Sequence, residues 1–450
     1  ESHAPILPCD YAVVVYIFKF QTNIRIVIID NMSGAIYGGD EVGALVLDIG
    51  HNTVRAGYGG EDSPILDIPS NIGIWADSQD DVGEPRYKYN IGLTAIHVKR
   101  PGMELVPFLK EGMVDNWDMF ENLTDYIYKH ALGAVPCDHP ILISEPPWIT
   151  PPKREQMAEL MFEKYKVPAL YLAKNAALAA FANGRPTCLV VDSGATHTSA
   201  VPLLDGIILT HAVVKSPVGG DYISMQCRHY LEEKNIDIIP PYMISSKELT
   251  KPDEPASWKI KTCLPKVTES WHNYMVKEVM QDFQASVLQV SDNLYDEEVV
   301  KSMPAIHYEF PHGFHKDFGV ERFKIPEPLF NPTTSAKAGI QPILGVGPLV
   351  TTSVGMCDID IRPAMYGSVV VTGGNSNIQG FNERLNRDLA AKTPPSMRLK
   401  VISAAGAVER KFGAWIGGSI LSSLGSFQQL WVSKQEYDEG GKAIVQSKCP

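Results

Sequence analysis

Cysteine is scarce in this chain, with seven in 450 residues, and none stands at C-x-x-C spacing or beside histidines at zinc spacing. Cys9, Cys137, Cys188, Cys227, Cys263, Cys357 and Cys449 are scattered, which excludes a disulfide framework and a structural zinc motif and fits a reducing compartment, cytoplasm or nucleus. Basic runs are missing as well. With 40 Lys and Arg against 52 Asp and Glu the net charge is -12, a field that repels phosphate backbones and anionic lipid and so argues against direct nucleic-acid or membrane binding. No low-complexity tract interrupts a composition of 44% hydrophobic and 20% charged residues, which is that of a globular protein. A long apolar run is absent too. The nearest approach, Tyr11 to Ile29, is broken by Lys19, Gln21, Thr22, Asn23 and Arg25 and has neither a basic flank nor a small-residue cleavage site. The expectation is that the biological chain starts at Met32 and that residues 1–41 form an extension, partly non-native.

At 450 residues the chain is too long for one ordinary core, and two domains are expected. Two segments repeat one design. Ala44-Leu45-Val46-Leu47-Asp48-Ile49-Gly50 is an apolar run ending in Asp-x-Gly, followed by a second strand pattern, Thr53 to Tyr58. Cys188-Leu189-Val190-Val191-Asp192-Ser193-Gly194, followed by Thr198 to Pro202, does the same about a third of the chain later, which points to duplicated α/β domains. A third glycine turn, Thr372-Gly373-Gly374, follows the run Val369-Val370-Val371 and leads to a helix pattern carrying Ile378, Phe381, Leu385 and Leu389.

Further helices are expected from Pro151-Pro152, capped by Thr150, and along Ile416, Ile420, Leu424, Phe427 and Trp431 as a buried stripe. Ser433 and Glu436 have capping-box spacing before a last helix that stops at Gly440-Gly441. Glu232 to Pro348 reads as a helical subdomain with insertions, and Trp75 to Tyr89 as an exposed loop on a small outer subdomain.

The repeated turns carry the chemistry. An Asp-x-Gly turn at a strand end exposes successive backbone N–H groups that can ring a phosphate, and small residues allow close approach. Asp48 and Asp192 would repel the phosphate itself, so their sensible role is to hold hydrated magnesium. A turn-forming aspartate is the plainer explanation of either one alone. Two copies in matched strand contexts, with the Thr372-Gly373-Gly374 turn to underlie an adenosine, favour a nucleotide site.

This residue order is similar to that of the actin, sugar-kinase and heat-shock-protein-70 ATPase superfamily. Within it, Trp415-Ile416-Gly417-Gly418-Ser419-Ile420-Leu421, Phe427 to Glu439 and Cys357-Asp358-Ile359-Asp360-Ile361-Arg362 resemble actin strings, and the resemblance runs from about Val42 to Cys449. Departures from actin, among them Gly38 to Ala44, Asp192 to Thr198, Pro240 to Ile244 and Asp282 to Val287, resemble the actin-like 6, or actin-related protein 4, class.

The resemblance implies an α/β, actin-like ATPase fold of duplicated ribonuclease-H-like domains around a nucleotide cleft. Residues 42–175 with 413–450 would form one domain, and 176–412 the other, with an inserted helical subdomain at about 220–345. It implies ATP and magnesium as ligands, with Asp48, Gly50 and His51 in the first phosphate loop and Arg55 in place of a phosphate-contacting lysine. Asp192, Gly194, Ala195 and Thr196 would form the second loop. Gly373, Gly374 and Asn375 would sit by the adenosine, and Lys411 would pack near the adenine. Asn175 takes the position of the glutamine that orients attacking water in actin.

For the class it implies a nuclear subunit of chromatin-remodelling and histone-acetyltransferase complexes. The partners would be nuclear actin, a long helix of the motor subunit and other complex subunits. Two rivals stand beside this reading. A filament-forming ATPase would need an outer loop with an exposed apolar segment, and Ser78 to Glu84 is acidic instead, which weighs against a homopolymer. A sugar kinase would need a carboxylate aimed at a substrate hydroxyl, and no string supplies one in context.

Overall fold

The computed structural model describes residues 43–79, 85–264, 266–332 and 343–450, together with the backbone of 13–20 and 23–30, which pair as an antiparallel hairpin. The expected start at Met32 and most of Ser78 to Glu84 lie outside the described residues. No helix among the described residues is long and apolar enough to cross a membrane. Among them Cys188, Cys227, Cys357 and Cys449 are buried free thiols, and Cys137 and Cys263 are exposed.

Two six-stranded sheets repeat one plan. In the first, Leu45–Ile49 pairs antiparallel with Thr53–Tyr58 and parallel with Ile141–Glu145, which in turn pairs parallel with Ala169–Lys174. In the second, Cys188–Ser193 pairs antiparallel with Thr198–Leu204 and parallel with Val369–Thr372, which pairs parallel with Val401–Ser403. The duplicated ribonuclease-H-like order is therefore present in full. Leu45, Val46 and Leu47 are all buried, as are Val369, Val370 and Val371, because these central strands are covered on both faces.

The chain crosses between the sheets twice. It leaves the first sheet through the helix Asn175–Ala182 and returns through Gly413–Ser423. These helices pack backbone to backbone: a Cβ added at Gly417 would lie 1.9 Å from the Leu178 carbonyl oxygen, and one at Gly418 would lie 2.9 Å from a Val46 methyl. Trp415, fully buried beside them, donates its indole N–H to the Val46 carbonyl at 3.2 Å.

The expected stripe along this segment is wrong in detail. The helix ends at Ser423, Ile420 is 40% exposed, and the buried face is Gly413, Trp415, Gly417, Gly418 and Leu421. Close helix contact selects small residues, which an apolar periodicity does not register. Phe427 and Trp431 are buried, but Phe427 sits in the 3-10 turn Gly425–Leu430 and Trp431 just after it.

Other expectations need correction as well. The helix after the third glycine turn begins only at Phe381, behind a 3-10 turn Gly374–Asn377, so Ile378 precedes it. Trp75 to Tyr89 is largely a hairpin of Asn71–Gln79 with Pro85–Asn90, extended by Glu104–Pro107 into a three-stranded outer sheet. The Glu232 to Pro348 region holds the long helix Glu269–Val287 but also two hairpins, Ile244–Glu248 with Ser257–Ile260 and Ile306–Glu309 with His315–Phe318. Thr150 sits at the cap position of Pro151–Glu159, but its side chain accepts no capping bond. The Ser433–Glu436 capping box is formed, and Gly441 at φ 67° ends that helix.

The crossing makes a direct prediction. Gly417→Ala should destabilise the protein by about 2–3 kcal/mol, because overpacking against a backbone carbonyl outweighs the ~1 kcal/mol helix gain of alanine over glycine. Gly355→Ala, in the helix Val346–Met356 with open space at its Cβ, should be neutral or stabilising. Equal denaturation midpoints for the two variants would contradict the close crossing.

Candidate functional site

A cavity of about 240 Å³ opens between the two sheets, and every site residue expected from the sequence borders it: Asp48, Gly50, His51, Arg55, Asn175, Asp192, Gly194, Ala195, Thr196, Gly373, Gly374, Asn375 and Lys411. The two hairpin turns are built alike. Gly50 N–H closes the first onto Thr53 O at 3.1 Å, and Gly194 N–H closes the second onto His197 O at 3.0 Å. The glycine amides are thus spent inside the turns. The amides of His51, Asn52, Ala195 and Thr196 have no partner among the described residues and are the donors left for an anion. The third turn is fixed differently. Gly373 has φ 91°, and a Cβ there would lie 2.3 Å from Ser193 O and 2.5 Å from an Asp192 carboxylate oxygen, so only glycine lets this turn close against the second loop.

The two aspartates occupy equivalent registers with different neighbours. Asp48 stands opposite Arg55 in its strand pair, and Asp192 stands opposite Ser199. Arg55 Nη1 donates to Asp48 Oδ2 at 2.7 Å, and Ser144 Oγ donates to Asp48 Oδ1 at 2.5 Å. Both Asp48 oxygens are engaged. Asp192 has no cation opposite, and burial, with a smaller contribution from the Asp48 charge, pushes its pKa up to about 6 against a partial opposing pull from Arg55.

A half-buried, under-compensated carboxylate at the cavity wall is the environment a hard cation relieves, and oxygen donors suit magnesium. Among the described residues no three His, Cys, Asp or Glu converge as a metal cage. A cation here would therefore share the two aspartates with waters and phosphate oxygens, which is magnesium's usual manner of binding.

Several side chains are committed in ways the sequence did not predict. Asn375 Nδ2 donates to Gly194 O at 2.7 Å and braces the second loop. Lys411 pairs its ammonium with Asp67 on the first sheet, tying the edge of the cavity to the strand Leu66–Pro69. Burial lowers the pKa of His51, and burial and Lys215 lower that of His197 to about 4, so both imidazoles are neutral at pH 7. His197 lies edge-on to Trp148 at 4.9 Å and shares a 2.9 Å hydrogen bond with Thr196 Oγ1. His51 Nδ1 is buried and has no partner among the described residues.

Sequence reasoning missed Ser144, Gln281 and Gln284, which also border the cavity. Ser144 is the penultimate residue of a fully buried strand, and strand ends in open α/β sheets are where ligands bind, so that signal was available. Gln281 and Gln284 sit mid-helix with no local signature.

A duplicated sheet pair enclosing a cleft with matched turns defines the actin-like ATPase class of fold. The family model described as Actin matches residues 39–450, and the chain belongs to the actin family. It is 39% identical to an actin-related protein 4 of Arabidopsis thaliana over 445 residues, covering 92% of this chain and all of the relative. A second, from Schizosaccharomyces pombe, is 35% identical over 447 residues, covering 93% of this chain and all of the relative. Similarity of this extent supports placement in the actin-related protein 4 class.

The Asp192 environment predicts a trade between stability and binding. Its raised pKa means that ionisation costs the folded protein up to roughly 3 kcal/mol above pH 6, a cost that fades as the pH falls from 6 toward 4. Asp192→Asn should therefore raise the melting temperature of ligand-free protein at pH 7.5, flatten its acid dependence, and remove any gain in melting temperature that added magnesium-ATP gives the native chain. A variant less stable than the native chain at pH 7.5, or one that keeps its ligand response, would remove Asp192 from this role.

Proposed function

We propose that this chain is a structural and regulatory subunit of chromatin-remodelling and histone-acetyltransferase complexes in the nucleus. It pairs with nuclear actin on a long helix of the motor subunit and holds magnesium-ATP as a structural ligand rather than as fuel. The complex and partner half of the reading is supported by similarity to actin-related protein 4 over more than nine-tenths of the chain. The nucleotide half is carried by one observation: the two matched turns, the third turn and both aspartates border a single cavity.

The bound nucleotide would rest on the free loop amides, while Asp48 and Asp192 hold its cation. Hydrolysis additionally needs water placed in line with the terminal phosphate and polarised, since phosphoryl transfer depends on positioning and electrostatics. The positions that resemble actin's water-handling set are altered. Asn175 is one methylene shorter than glutamine, Ala195 ends in a methyl where an aspartate is expected, and Ser199 replaces a histidine. Ser199 is buried in its strand and does not border the cavity. A polymerising, hydrolysing ATPase is the second reading, and His51 favours it: a neutral imidazole within the first loop, with a buried nitrogen that has no partner among the described residues, could receive a proton from water.

Single-turnover measurement with purified protein and labelled ATP separates the readings. Misplacement of about an ångström costs roughly a hundredfold in rate, so intact ATP should persist for many hours. Turnover matching polymerised actin would overturn the structural-ligand proposal.

Assembly is tested separately. Affinity purification should recover actin and a remodelling motor in one complex, and the purified chain should stay in the supernatant under actin-polymerising salt. Ordered filaments of the chain alone would contradict the heteromeric reading.

A further inference from the structure

Three neighbouring strands of the first sheet set charges side by side. Asp48 stands opposite Arg55, and Arg55 stands opposite Asp67 on the edge strand Leu66–Pro69. Residues directly opposite one another share a face, so acid, base and acid form one ladder. The second sheet repeats the ladder with other residues: Asp192 stands opposite Ser199, and Ser199 opposite Lys215. The duplicated frame thus accepts either sign at the third place, and an aspartate at 67 is not a demand of the fold.

Asp67 does not border the cavity, yet it meets both Arg55 and Lys411, the arginine and lysine that border it among the described residues. Its Oδ1 lies 3.6 Å from Arg55 Nε, and its Oδ2 accepts from the Lys411 ammonium. Arg55 is fixed without this help. Its Nη1 donates to Asp48 at 2.7 Å, its Nη2 to Thr53 Oγ1 at 2.9 Å, and its guanidinium carbon stands 5.4 Å from the centre of the Phe412 ring. Lys411 has less to hold it: besides Asp67, its ammonium has the Phe412 ring, 5.1 Å from the ring centre.

The charges at the cavity can then be set against one another. Asp48 and Asp67 balance Arg55 and Lys411. Asp192, opposite a serine, adds one negative charge, and Asp221 is matched by Lys277. Glu145 faces two cations, Arg154 and Lys174, which restores the lost charge, and the cavity histidines are neutral. With these partners counted the walls are neutral overall, so an anion entering alone meets no surplus of positive charge.

We propose that Asp67 holds Lys411 and offsets the positive charge of the cavity, and that it thereby makes uptake of a polyphosphate depend on an accompanying magnesium ion. The proposal deepens the nucleotide reading above and rests on it for the ligand. Lying outside the cavity, Asp67 is a positioning residue that acts through Lys411 and Arg55. Free ATP carries a charge of about −4 and its magnesium complex about −2, so one unit of wall charge acts about twice as strongly on the free form.

The test uses the full chain and a fluorescent ATP analogue, titrated once with magnesium and once with excess chelator. The native chain should bind the magnesium form far more tightly. Asp67→Asn, nearly isosteric and on an edge strand, should tighten binding of the magnesium form by roughly 3-fold and of the metal-free form by roughly 10-fold, a modest gain because solvent and salt screen the site. Looser lobes or lower stability would change both affinities alike and leave their ratio unmoved. Asp67→Glu keeps the charge and should keep the native ratio. A ratio that Asp67→Asn does not move, or that both variants move equally, overturns the proposal.

Acetylation of Lys411 in ligand-free protein, followed by mass spectrometry, gives a second readout. The engaged ammonium should react slowly in the native chain and severalfold faster in Asp67→Asn, and equal rates overturn the hold on Lys411. A native chain that binds no analogue even with magnesium sinks the nucleotide reading, while faster acetylation in Asp67→Asn still supports that hold.

Discussion

The contact on which the rest of the molecule depends is the crossing of Asn175–Ala182 with Gly413–Ser423, where Gly417 lets one helix backbone rest on the Leu178 carbonyl of the other. Both passages of the chain between the sheets go through this crossing. Backbone packed on backbone cannot slide without clash, so the sheets are held at one separation there, and relative motion reduces to rotation about the crossing. The cavity lies in the wedge so formed. Its floor includes Asn175, the first residue of one crossing helix, and Ala414, from the first turn of the other.

A wedge pinned at one end is closed only if something joins its arms at the other. The helix Glu269–Val287 does so, with its two ends in different cores and with Gln281 and Gln284, in its C-terminal half, bordering the cavity. Lys411 with Asp67 and Lys215 with Glu111 add ion pairs from one lobe to the other. The Lys215–Glu111 pair is exposed and contributes little to holding the lobes. The strength of closure therefore lies in the buried pin and the buried apolar junction, and the cavity between them is where the structure tolerates poorly compensated charge.

Local patterns made the sheets legible in the sequence. Leu45 to Asp48 and Leu189 to Asp192 announce strand, end and turn within a few residues, and the fold repeats that unit in space as it does in the chain. The Ser433–Glu436 cap is equally local. What the sequence hid is set by distant partners. Ile416, Ile420 and Leu424 form a plausible apolar stripe, yet the face chosen is the one with glycines, because the neighbour is a backbone and not a side chain. Trp75 reads as part of a loop because its strand is defined by pairing with Lys88. Gln281 gains its place only through a helix whose two anchorages lie in different lobes. The turn glycines were identified by type, but the amides they leave free belong to the residues that follow them.

Duplication also explains why the site is asymmetric. Each copy places an aspartate at the end of its first strand and a partner directly across the hairpin. In the first copy that partner is Arg55, which with Ser144 occupies both Asp48 oxygens. In the second it is Ser199, which supplies no charge, and the half-buried carboxylate of Asp192 is left without a compensating cation and with its pKa raised. The same frame thus offers one aspartate already neutralised by the protein and one that is not. An incoming cation gains most where compensation is missing, because relieving a buried charge in a low-dielectric site is worth more than adding to a pair already satisfied. Arg55 then does two things: it quiets Asp48, and its positive charge beside the first loop favours the anion that the loop amides receive. Divergence of one residue opposite each aspartate is therefore enough to turn a repeated turn into a polar cleft with a cation side and an anion side.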